Sequence, residues 1–71
     1  MKLTVFSKNR ESHEYSNDCT IGQAFTMIDN YCYDNDCIYG FGDIVLHYNE
    51  IIVYIRDPNN NGQNACKFVI D

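Results

Sequence analysis

The sequence predicts an α+β fold: a single small two-layer domain spanning residues 1–71, with one helix packed on one face of an antiparallel sheet of four to five strands, in the order β-β-α-β-β-β. Three observations carry that expectation. A capping signature at Thr20 opens an amphipathic helical stretch, residues 44–55 read as a strongly apolar hairpin, and 71 residues leave room for one core. A chain of this length buries only about 60% of the surface it exposes when unfolded, and its core seldom supplies more than about 3–5 kcal/mol. The composition, 45% hydrophobic, 14% aromatic and 21% charged, is nonetheless globular rather than disordered.

Residues 2–8 alternate through Lys2, Leu3, Thr4 and Val5 and predict a first strand; Asn9-Arg10-Glu11 supply turn chemistry, and a weaker extended stretch follows from Ser12 to Ser16. Thr20-Ile21-Gly22-Gln23 fits the capping box, in which the Thr hydroxyl accepts from the N3 amide while Gln23 reaches back to the Thr20 amide. Asp18 just ahead suits the positive helix end. Ile21, Ala24, Phe25, Ile28, Tyr31 and Cys32 then form one apolar stripe, with Gln23, Thr26, Asp29 and Asn30 on the other side. The helix is expected to stop near Asp34-Asn35, since Asn tolerates the left-handed conformation and Asp34 and Asp36 oppose the negative end of the dipole.

After the glycine-spaced link Tyr39-Gly40-Phe41-Gly42-Asp43, a two-residue turn at Asn49-Glu50 would pair Tyr48 with Ile51, Leu46 with Val53 and Ile44 with Ile55. Glu50 suits such a turn poorly, so a longer loop in the same phase is the alternative. The polar cluster at residues 57–64 predicts a loop, and residues 65–70 a closing strand with Cys66, Phe68 and Ile70 on one side. The helix stripe is then expected over Ile44, Leu46, Val53 and Ile55. Val45, His47, Ile52, Tyr54 and Arg56, with Phe6 and Val69, fall on the opposite face. That face is apolar enough to predict association, either as a homodimer through the sheet or as a docking site for another protein, with Val45, Ile52 and Tyr54 at the interface.

The first residues alternate like a strand and lack the apolar core of a signal peptide, and no run approaches the ~18 apolar residues of a membrane span. A cytoplasmic chain without membrane contact is expected. Cys19, Cys32, Cys37 and Cys66 are spaced too widely for a zinc knuckle, with only Cys32-x4-Cys37 near that spacing. They read most simply as buried reduced thiols, with two disulfides in an oxidising compartment, or a structural metal, as the alternatives.

No metal or other cofactor is expected, nor any catalytic residue. Gly40-Phe41-Gly42 lacks the third glycine and the following helix of a phosphate loop, and His13 and His47 are a thin supply for nucleophilic catalysis. Asp34-Asn35-Asp36-Cys37-Ile38 departs from a calcium loop at the third ligand and the glycine. A chain this small also has little room for a pocket beside its core, so a non-enzymatic protein is expected.

Charge is more informative. Five Lys and Arg against ten Asp and Glu give a net charge of −5 and a pI near 4.6, which argues against direct binding to nucleic acid or anionic lipid and favours a basic protein partner. Lys2, Lys8, Arg10, Arg56 and Lys67 lie toward the chain ends. Between residues 11 and 55 stand Glu11, Glu14, Asp18, Asp29, Asp34, Asp36, Asp43 and Glu50 without a Lys or Arg. The candidate partner-binding residues are Asp29, Tyr33, Asp34, Asp36, Tyr39, Asp43 and Glu50. Carboxylates can stand where phosphates would stand in a basic groove, and tyrosine beside acid suits an arginine-rich partner. The plainer alternative is acidity that keeps a tyrosine-rich protein soluble.

In size, acidity, lack of a signal segment and asparagine-heavy composition, the chain resembles the very small single-domain inhibitors that phages and mobile elements deploy against bacterial defence, anti-CRISPR and anti-restriction proteins among them. The likeness is one of composition and covers the whole chain. It implies a non-enzymatic inhibitor in the host cytoplasm that binds a nuclease complex stoichiometrically, either occupying its nucleic-acid groove as a DNA mimic or locking a subunit. An immunity or antitoxin protein that neutralises a basic nuclease toxin, and a small structural subunit of a phage or bacterial complex, share these features and stay open as alternatives.

Overall fold

Six elements follow one another as β1 (Leu3–Ser7), β2 (Ser12–Ser16), α1 (Ile21–Asp34), β3 (Gly40–His47), β4 (Glu50–Asp57) and β5 (Gln63–Ile70) in a computed structural model that describes residues 1–7, 11–34, 40–57 and 63–71. This is the β-β-α-β-β-β order of a small α+β domain. The strands form one antiparallel sheet in the order β2-β1-β5-β4-β3, so the last strand occupies the middle, between β1 and β4.

The helix begins as its sequence dictates. The Gln23 amide donates to the Thr20 hydroxyl oxygen at 3.1 Å, and the Thr20 amide donates to the Gln23 side-chain oxygen at 2.9 Å, closing the capping box in both directions. The segment just ahead is tied to the start of β1. The Cys19 amide donates to the Met1 carbonyl at 2.9 Å, and the Met1 ammonium donates to the Cys19 carbonyl at the same distance. These bonds set where the helix enters. Its buried side is Ala24, Ile28 and Cys32, with Phe25, Met27 and Tyr31 packed beside them, whereas Ile21 in the first turn remains 46% exposed.

The core lies between this helix and one face of the three middle strands: Leu3 from β1, Val53 and Ile55 from β4, Phe68 and Ile70 from β5. Phe68 is its largest fully buried side chain. Tyr31 from the helix and Tyr15 from β2 meet the Phe68 ring edge-on, at centroid distances of 5.2 and 5.7 Å, the arrangement that the quadrupoles of aromatic rings favour. Tyr15 is presented there by a register shift between β1 and β2, where Leu3 pairs with Ser16 and Thr4 already pairs with Glu14.

Two expectations are corrected. The β3–β4 turn is Tyr48-Asn49, not Asn49-Glu50: His47 pairs with Glu50, Leu46 with Ile51, Val45 with Ile52 and Ile44 with Val53. Asn49 takes φ 64°, the left-handed region that Asn enters more readily than most residues. The shift is two residues, so every side chain keeps its face, and hydrophobic phase could not distinguish the two registers. Coverage of the hairpin is also less than expected. Val53 and Ile55 are fully buried, but Ile44 is 50% and Leu46 80% exposed. Five strands about 4.8 Å apart span about 19 Å, whereas a helix with its side chains is only about 10–12 Å across, so one helix cannot roof both the centre and the rim. Phe25 of the helix does reach Phe41 near the start of β3, with ring centroids 6.3 Å apart. β3 and β5 also begin earlier than the sequence suggests, at Gly40 and Gln63, and the loop expected between β4 and β5 lies largely outside the described residues.

Truncating the centre should cost most. Phe68→Ala is expected to remove about 3–5 kcal/mol, comparable to the whole stability of a core this size, and to leave the chain largely unfolded by far-ultraviolet circular dichroism at room temperature. Thr20→Ala removes one cap and should lower the urea-derived stability by about 1 kcal/mol with the fold retained.

Candidate partner-binding surfaces

The helix places its acids by the same periodicity that places its core. With Ala24, Ile28 and Cys32 turned to the sheet, Asp29, Tyr33 and Asp34 are exposed, Tyr33 at 72%. No Lys or Arg occurs between Ile21 and Asp34, and Asp18 is exposed just ahead of the helix. Asp36 and Tyr39 fall outside the described residues. Asp43 is exposed on β3 where the register slips: Phe41 pairs with Ile55 and Ile44 with Val53, so Gly42 and Asp43 together oppose Tyr54. Glu50 lies at the hairpin end with an oxygen 3.8 Å from His47 Nδ1. Measured along β4, Glu50 is four residues from Tyr54. At about 3.3 Å per residue that is about 13 Å, beyond the ~8 Å screening length at physiological salt. Asp43 and Glu50 therefore do not form one tight carboxylate cluster.

The helix-free face of the sheet carries a different chemistry. Thr4, Val69, Ile52 and Val45 pair in one row across β1, β5, β4 and β3. Phe6, Lys67 and Tyr54 make the neighbouring row. Lys67 Nζ sits 5.4 Å from the centroid of the Phe6 ring, a cation–π contact. Ile52 and Tyr54 are half-buried, Val69 is 9% exposed and Val45 39%. Arg56 continues this face beyond Tyr54, opposite Gly40, and Lys2 alternates with the buried Leu3. All described cations among the Lys and Arg thus belong to the face opposite the acidic helix.

The sequence reading did not single out the rim that β3 exposes. Phe41, Ile44 and Leu46 stand on the helix side of the hairpin and stay exposed, Phe41 even though Phe25 reaches it; Tyr48 in the turn is 88% exposed. The signal that points to them is arithmetic rather than pattern, namely one helix for five strands.

A cleft of about 300 Å³ opens beside Tyr31 and Cys66, with His13 on its rim. The Cys66 thiol points to the Tyr31 hydroxyl at 3.9 Å. Burial pushes the Cys66 thiol above its ordinary value, against a smaller opposing effect of the Tyr31 hydrogen bond. Cys32 is also raised, first by burial, then by the charge of Asp29 and by Cys66. A nucleophilic cysteine needs the reverse shift. Cys19, Cys32 and Cys66 are free cysteines, and among the described residues no group of three His, Cys, Asp or Glu side chains is placed to hold a metal ion. No helix among the described residues is long and apolar enough to cross a membrane. No protein-family model matches the chain, and no curated protein or solved structure matches it.

The raised thiols link stability to alkaline pH. A group whose pKa is higher in the folded state contributes stability that is complete below its unfolded value, about 8.5 for cysteine, and is lost as pH rises from there through the folded value. The urea midpoint should therefore fall between neutral pH and pH values above about 8.5. In Cys66→Ala that decline should be shallower, whatever the offset at neutral pH.

Proposed function

We propose that this chain is a non-enzymatic, acidic inhibitor that binds a basic, nucleic-acid-handling protein of a bacterial defence system, the anti-CRISPR or anti-restriction class its composition resembles. The observation that carries the reading is that the described Lys and Arg all lie on the helix-free side, where Glu14, Asp43 and Glu50 stand among them, so that the acids of the helix side face no Lys or Arg. The helix side presents Asp18, Asp29 and Asp34 without a cation on the helix, and Lys2, Arg56 and Lys67 lie on the far side of the sheet. Among the described residues the helix acids are therefore unopposed, and in a chain of net charge −5 their field speeds encounter with a positive surface and orients the approach.

Asp29 and Asp34 are five residues apart, hence about 140° apart around the helix at 3.6 residues per turn. They broaden a negative surface rather than line up as a row of phosphates. Nucleic-acid mimicry therefore draws also on Asp36, two residues past Asp34 in the chain, whereas Asp43 stands opposite Tyr54 on the helix-free face and adds to the net charge. The exposed Tyr33 supplies a ring against which an arginine of the partner can stack.

The test is capture from nuclease-treated lysates of bacteria carrying defence systems, with bound proteins identified by mass spectrometry after low-salt and high-salt washes. A basic nucleic-acid-handling protein should be held at low salt and shed at high salt, and its binding or cleavage of nucleic acid should fall on adding the pure chain. The combined variant Asp29→Asn, Asp34→Asn, Asp36→Asn and Asp43→Asn should lose both effects. Equal binding by this variant would defeat the electrostatic reading. A partner retained at high salt and lost with Ile52→Ala or Tyr54→Ala would place the interaction on the helix-free face instead.

A further inference from the structure

The two edges of the sheet are unlike. β2 is a short edge of Ser, His, Glu and Tyr, Ser12–Ser16, polar in the way that exposed edges are normally protected. β3, the other edge among the described residues, spans Gly40–His47; its bulge and Asp43 guard the start of the strand, and Ile44–Leu46 beyond them carry no charge, Pro or bulge. Its regular part follows the bulge, and there Ile44, Val45 and Leu46 are all exposed on an open strand. The pair that closes a two-residue hairpin turn, His47 with Glu50, is hydrogen-bonded, so Val45 also directs its backbone groups at β4. Ile44 and Leu46, in the alternate pairs, direct theirs outward.

We infer that this edge is covered by a second copy of the same chain, β3 pairing antiparallel with its symmetry mate about a two-fold axis at Val45. In that register Ile44 lies opposite Leu46 of the partner copy, and these are the residues whose backbone groups face outward on both strands. The apolar side chains meet on the helix side, beside the rim the helix leaves open. Asp43 falls opposite His47 of the partner copy, an acid facing an imidazole at both ends of the pairing.

The neighbouring in-phase registers lose this match. A shift one way sets Asp43 against Val45 and His47 against Phe41; the other way sets Asp43 against Asn49 and Val45 against His47. The match of Ile44 with Leu46, and of the Asp43 carboxylate with an imidazole N–H able to donate to it, thus selects both the occupant and the register. The product is one continuous sheet of twice five strands with both helices on the same side, so that Asp29 and Asp34 of both copies face one direction. The inference stands whether or not the acidic helix engages a basic partner.

Sedimentation equilibrium across the micromolar range, combined with amide hydrogen exchange, tests it. The wild-type chain should dimerise, and raising its concentration should slow exchange of the Ile44 and Leu46 amides while leaving the Val45 amide, already bonded to β4, unchanged. Val45→Lys, which sets two ammonium groups on the axis, should give a monomer with an unaltered circular dichroism spectrum. Asp43→Lys should weaken the dimer by about three- to tenfold, because the carboxylate that accepts from the imidazole is lost at both ends of the pairing. A wild-type monomer throughout the range overturns the inference. So does a dimer that survives Val45→Lys, or one whose concentration-dependent protection falls on β2 or on the helix-free face. If Val45→Lys alters the spectrum, the wild-type exchange pattern decides by itself.

Discussion

The insertion of β5 between β1 and β4 is the constraint on which the rest of this structure depends. It joins the two ends of the chain in the middle of the sheet, with Leu3 beside Ile70 and Val5 beside Phe68. The Asp71 amide extends the tie by donating to the Lys2 carbonyl at 2.9 Å. Phe68 is thereby surrounded on every side, by β1 and β4 in the sheet and by Tyr31 and Tyr15 above it. Pairing the first strand with the last closes nearly the whole chain as one loop, so the central contact is also the one with the largest sequence separation.

A single helix over that centre fixes what is left outside. Its width matches the middle strands, and its entry is pinned by the Met1–Cys19 bonds at the start of β1. The rim on the β3 side is what it does not reach. In a larger domain a second helix would cover Ile44 and Leu46; here the same residues stay exposed, and the open edge becomes a surface with a defined pattern of apolar and charged groups.

Charge is arranged by the same architecture. Helical periodicity turns Asp29 and Asp34 outward once Ala24, Ile28 and Cys32 turn inward, and strand alternation sends Tyr54, Arg56 and Lys67 away from the helix once Val53, Ile55 and Phe68 turn toward it. The placement of these charges is therefore a by-product of packing the core. The thiols follow the core too, since burial is the main cause that raises Cys32 and Cys66 above their ordinary values.

What the sequence by itself determined about this protein is its local and periodic content. The capping box at Thr20 and Gln23 involves residues three apart, the helix stripe repeats within one element, and the in-or-out phase of residues 44–55 is a property of alternation; each can be read without knowing any partner. The exposure of Asp29, Tyr33 and Asp34 follows from the same helical phase. What only the tertiary structure decided is non-local. Strand order, the two-residue shift that moves the turn to Tyr48-Asn49, the bulge that sets Asp43 opposite Tyr54, and the bare rim at Leu46 all depend on which strands become neighbours. Registers two residues apart bury the same face, and a strand's alternation is the same at a sheet's centre and at its edge. Hydrophobic pattern alone therefore cannot choose among them; the choice is made when β5 takes the central place and one helix can cover only what surrounds it.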